Sequence, residues 1–86
     1  MQDNPTHTSQ TLEAAKDFIR YNYVPIDEYK EATLRITTIE LHQRLFATFP
    51  IEAFTTDILF QWLTELGFSY RDGGNIRLEW LLKKIN

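Results

Sequence analysis

Apolar residues recur at helical spacing in three stretches of this chain and at alternating spacing in a fourth. In the first stretch Leu12, Ala15, Phe18, Ile19 and Tyr23 fall on one side, with Glu13, Lys16, Asp17 and Arg20 opposite, so a helix is predicted from Thr8 or Ser9. Val24-Pro25 ends it, because proline lacks an amide proton and disfavours helical geometry in the residue before it. Residues 26–33 read as a charged connector (Asp27, Glu28, Lys30, Glu31) with room for one extra helical turn, and Leu34-Arg35-Ile36 is short and β-compatible.

Two helix starts follow in similar grammar. Thr37 is placed to cap the first, with Glu40 three residues on to reach back to the cap's own amide, while Ile36 and Leu41 form a hydrophobic staple around it. Leu41, Leu45, Phe46 and Phe49 continue this helix until Pro50. Thr55 caps the next, stapled by Phe54 and Leu59, with Asp57 in the positive first turn. Its stripe is Leu59, Trp62, Leu63 and Leu66, widened by Ile58. Gly67 suits the left-handed residue that closes a helix, with Phe68 folding back on Leu63.

Beyond Gly67 the period changes to two. Phe68, Tyr70, Ile76, Leu78 and Trp80 share one set of positions; Ser69, Arg71, Arg77 and Glu79 share the other. Asp72-Gly73-Gly74-Asn75 between them accepts the positive φ of a tight hairpin. Trp80-Leu81-Leu82 does not alternate, as expected of a strand buried on both faces or of a turn to helix, and Leu34–Ile36 is free to pair with it. The fold class this order predicts is α+β: a winged helix-turn-helix of three helices with a small two- or three-stranded antiparallel sheet. It occupies residues 8–86 as one domain behind a flexible segment over residues 1–7.

Composition narrows the function more by exclusion than by assignment. In 86 residues the core is modest, since a domain of this size buries only roughly 60–65% of its unfolded surface. The absence of cysteine excludes disulfides and thiolate metal sites, and no apolar run approaches the ~20 residues that span a bilayer. A cytoplasmic protein with no membrane partner is expected. The net charge of −3 argues against strong independent binding to DNA, which depends on Lys and Arg neutralising phosphates.

Candidate chemistry is sparse. Between Phe54 and Gly67 the second capped helix has no Lys, Arg or His, so base or phosphate contacts there fall to Gln61, Thr56 and Thr64, against repulsion from Asp57 and Glu65. The hairpin offers more: Arg71 and Arg77 flank the turn, Asn75 lies between them, and Lys83 and Lys84 follow, with Arg35 and Arg44 available to extend that edge. The same charges read equally as solubilising groups. His7 and His42 lack partners at metal-ligand spacing, no glycine loop precedes a Lys-Ser/Thr pair, and neither Ser9 nor Ser69 sits in a nucleophile context. No enzyme, metal, cofactor or small-molecule substrate is therefore expected. Tyr21, Tyr23, Tyr29 and Phe60 exceed what so small a core holds, which points to a stacking or interface surface.

Thr37-Thr38-Ile39-Glu40-Leu41, then Leu63-Thr64-Glu65-Leu66-Gly67-Phe68, then a glycine turn and Trp80 in a closing strand carry a family resemblance. The stretch from Ile36 to Leu82 resembles the small helical-plus-wing domain that closes some phage, plasmid and mobile-element primase or helicase proteins. It is also similar to the short C-terminal domain of virulence-associated-E-like proteins of mobile elements in Bacteroidetes. The resemblance implies a non-catalytic accessory domain of a longer, nucleic-acid-dependent ATPase, assisting origin or single-strand engagement. The chain departs from the basic recognition helix such domains often show. Two functions stay open: weak DNA contact through the wing (Arg71, Asn75, Arg77, Lys83, Lys84, with Gln61 and Thr56 assisting), or a protein-interaction module in a replication or mobilisation complex.

Overall fold

Thr37 and Thr55 start their helices as their side chains dictate. In the computed structural model, which describes residues 5–72 and 78–85, helix α1 spans Pro5–Asn22, α2 Thr38–Thr48 and α3 Thr56–Glu65. Glu40 N donates to Thr37 Oγ1 at 3.2 Å while Thr37 N donates to Glu40 Oε1 at 3.2 Å, a complete capping box. Ile58 N donates to Thr55 Oγ1 at 3.3 Å. Both staple pairs, Ile36 with Leu41 and Phe54 with Leu59, are buried. At the far end of α3 the Phe68 amide donates to Leu63 O and the Gly67 amide to Thr64 O, with Gly67 at φ +88°, the two bonds and left-handed residue of a Schellman closure.

The strands are β1 (Tyr23–Pro25), β2 (Leu34–Ile36), β3 (Ser69–Asp72) and β4 (Leu78–Lys84). All pairing is antiparallel and all of it is to β4. Leu82 faces both Pro25 and Leu34, and Trp80 faces both Ile36 and Tyr70. So β2 occupies one edge of β4, while β1 and β3 lie end to end along the other. The described residues thus form an α+β unit of three α-helices and a four-stranded antiparallel sheet, compatible with the predicted layout. No helix among them is long and apolar enough to cross a membrane.

Two boundaries differ from expectation. Helix α1 begins at Pro5 rather than at Thr8 or Ser9, because proline in a first turn gives up an amide that would have no partner anyway. Val24-Pro25 does end α1, but Tyr23–Pro25 goes on as a strand. At the edge of a sheet proline's missing amide costs no ladder bond, so the sheet has four strands, not two or three. Residues 26–33 carry the expected extra turn as a 3-10 segment at Tyr29–Glu31.

The sheet is covered on both sides. Trp80, Leu82 and Ile36 point to the helices and pack with Ile19, Leu41, Leu45, Phe54, Leu59 and Leu63. Alternation puts Leu81 on the other side, yet it is only 2% exposed. The connector from β1 to β2 must cross β4 to join strands on opposite edges, and it does so over that side. Ser69 Oγ donates to Asp27 Oδ1 at 2.9 Å, Thr33 N donates to Leu82 O at 2.9 Å, and Ala32 within the connector is buried. The non-alternating Trp80-Leu81-Leu82 is thus a central strand buried on both faces, the first of its two predicted readings.

Candidate interaction surfaces

Helix α3 and the β3–β4 ribbon meet at an aromatic cluster. Tyr70 stands opposite Trp80 in the ladder, and Phe60 comes from α3 to complete the group, with ring centroids 4.9 Å (Tyr70–Trp80), 5.3 Å (Phe60–Trp80) and 6.1 Å (Phe60–Tyr70) apart. Trp80 is the buried floor, its Nε1 donating to Thr38 Oγ1 at 2.8 Å. Phe60, Tyr70 and Leu78 remain 39%, 48% and 46% exposed. Phe60 was among the aromatics expected to be in surplus. Tyr70 and Leu78 were assigned by alternation to the core side, and they do lie on that side. Tyr70 is on an edge strand and Leu78 lies beyond Trp80 at the end of β4, and both side chains stand half in solvent.

The polar side of α3 is largely engaged with its own neighbours. Gln61 Nε2 donates to Glu65 Oε2 at 3.1 Å, Lys16 Nζ donates to Glu65 Oε1 at 2.9 Å, and Thr64 Oγ1 donates to Phe60 O at 3.0 Å. The Lys16 hydrogen bond, helped by Gln61 and by the Lys16 charge, holds the Glu65 carboxyl below its ordinary pKa of 4.5. Thr56 is half-buried as the first residue of α3. Between α1 and α3 an open cleft of about 480 Å³ is lined by Leu12, Lys16, Arg20, Ile58, Gln61 and Trp62. Both of its cations are already paired, Lys16 with Glu65 and Arg20 with Asp17.

The outer side of the sheet gathers different residues. Arg71 and Lys83 fall there by alternation, both exposed, whereas Lys84 alternates to the helix side next to Tyr23. Asn75 and Arg77 lie outside the described residues. The sheet therefore stands between Arg71 and the α3 residues Gln61 and Thr56, and the predicted contact residues do not converge on one surface. Tyr29 meets two arginines of this side: the guanidinium carbon of Arg35 lies over its ring at 4.3 Å from the centroid and that of Arg71 at 4.4 Å. Arg35 also donates from Nε (3.0 Å) and Nη2 (2.8 Å) to Tyr29 O. Tyr29 was foreseen only as a spare aromatic; its pairing with residues 6 and 42 positions away leaves no local signal. Across this side and its connector, Lys30, Arg35, Arg71 and Lys83 are matched by Asp27, Glu28, Glu31 and Glu79, so the described residues make no continuous positive strip.

His42 is structural. Its Nε2 lies 2.7 Å from Phe54 O, so that nitrogen carries the donated proton, and the ring rests against Phe46 and Phe54. It ties α2 to the link before α3. Among the described residues no group of three or more His, Asp or Glu is arranged to hold a metal ion. Comparison with family models, curated proteins and solved structures finds no match to this chain.

Proposed function

We propose that this chain is a non-catalytic interaction domain of winged-helix layout that holds a protein partner on the face between α3 and the β3–β4 ribbon. The half-exposed trio Phe60, Tyr70 and Leu78 over the buried Trp80 carries this reading. Large, partly ordered aromatic side chains are the commonest anchors of protein interfaces, since they remove much apolar area from water at little cost in side-chain entropy. Helix α3 brings no cation between Phe54 and Gly67, and Asp57 lies three residues before Phe60. A partner segment with apolar anchors and basic flanks fits it best. The resemblance to accessory domains of primase or helicase proteins would make that partner a component of a replication or mobilisation complex. Nucleic-acid contact through the wing is the weaker reading, because the described outer charges balance and Lys84 and Gln61 face away from Arg71.

The test is a titration of the isotope-labelled chain with a basic amphipathic peptide and, separately, with a DNA duplex at low salt. The peptide should shift resonances of Phe60, Tyr70 and Leu78, and Phe60→Ala should weaken it by at least about tenfold, as for an interface hot spot. If DNA instead moves Arg71, Lys83 and Lys84 while the peptide leaves the aromatic trio untouched, the wing reading replaces this one.

A further inference from the structure

We infer that Arg35 and Arg71, gathered on the ring of Tyr29, form a receptor for a dianionic phosphate group, either free phosphate or the terminal phosphate of a monoester. Strand β4 separates the two arginines in the ladder, where Arg35 is opposite Leu81 and Arg71 opposite Glu79, but both side chains rise on the outer side and meet at one ring. With guanidinium carbons 4.3 and 4.4 Å from one ring centroid, the two like charges lie less than 9 Å apart and repel each other. The ring's quadrupole offsets part of that repulsion and leaves the rest.

No carboxylate among the described residues supplies the difference. Asp27 accepts from Ser69, and the ion pairs among the described residues are Lys16–Glu65 and Arg20–Asp17, neither of which involves these arginines. Glu79 is the ladder partner of Arg71, and Glu28 and Glu31 flank Tyr29, yet none of them pairs with either guanidinium. Arg35 is oriented by its two bonds to Tyr29 O, which leave Nη1 unspent out of the guanidinium's five N–H donors. The Arg71 guanidinium has no hydrogen bond or ion pair among the described residues, so its donors are free of them. Two neighbouring guanidinium groups with donors to spare match the charge and the hydrogen-bonding needs of phosphate.

The dianion is favoured over a phosphodiester because two cations stabilise a double charge more than a single one, and the balanced charges around them do not sustain a polyanion. This side of the sheet is opposite the aromatic trio, so the inference stands or falls independently of the proposed protein partner.

The experiment follows the Arg35 and Arg71 side-chain Nε–H resonances and the Tyr29 ring of the full chain. Sodium phosphate at about pH 7.5, where a phosphomonoester is mostly doubly charged, is titrated against sodium chloride of matched ionic strength. A phosphomonoester and a dinucleotide with only an internal diester follow. Saturable shifts with phosphate and the monoester, weaker ones with the diester, and a loss of about tenfold or more in affinity for Arg71→Gln are expected, with Lys83→Gln unchanged. The Arg71 side chain makes no hydrogen bond among the described residues, so Arg71→Gln should fold normally. Shifts that track ionic strength alone, equal binding of the diester, or equal losses for the two variants would overturn the inference.

Discussion

At single positions, the decisive effects divide by how far apart their partners lie in the chain. Gly67 closes α3 at φ +88°, and a Cβ built there would meet only Pro25 Cγ at 4.0 Å, so its cost would be backbone strain, not crowding. Gly67→Ala should destabilise by about 1–2 kcal/mol in denaturant unfolding. Thr38 holds the Trp80 indole, 42 residues away, at 2.8 Å. Thr38→Val leaves that buried donor unpaired and should cost about 1–3 kcal/mol, with Thr38→Ser recovering most of it. Gly67, Thr37 and Thr55 were legible in the sequence because a cap or a closure is completed within a few residues. The Trp80–Thr38 bond and the placement of Tyr29 were not, since nothing local marks the far partner.

For whole elements, β4 explains what the hydrophobic pattern could and could not tell. The unbroken apolar run Trp80-Leu81-Leu82 allowed a strand buried on both faces, but did not say what covers Leu81; that depends on the connector crossing β4 between edge strands. Strand β1 was hidden for a related reason: proline signals an end to helix equally well whether the chain then leaves or joins a sheet edge. Leu81→Ala should therefore cost about 2–5 kcal/mol, in the range of Leu82→Ala, where a ribbon bare on its outer side would lose far less. Helix α3 is tied to α1 through Lys16 and Glu65, a partly exposed pair whose contribution is small. Because the folded-state pKa of Glu65 is lowered, that contribution is present in full above the ordinary carboxylate pKa and disappears as pH falls through the lowered value. Unfolding of wild type and Glu65→Gln across acidic pH should converge at the low end and separate towards neutrality.

Taken as one molecule, the domain has two unlike sides: an apolar one at α3 and the ribbon, and a charge-balanced one where two arginines share Tyr29. The residues of both sides were legible in the sequence but not their sides of the sheet: Gln61 on the capped helix and Arg71 in the hairpin read as one face until β4 and its neighbours are seen to stand between them. Strand β4 also constrains when the molecule can fold. Every other strand pairs with residues 78–84 and with nothing else, so no part of the sheet can form early and wait. During synthesis the helices must remain uncommitted, with Trp80, Leu81 and Leu82 still inside the ribosome, until almost the whole of this stretch has emerged; such late, long-range closure slows folding and prolongs exposure of the apolar stripes. Nascent chains stalled before Leu78 should be cleaved readily by protease, and those with Lys84 clear of the exit tunnel should resist it.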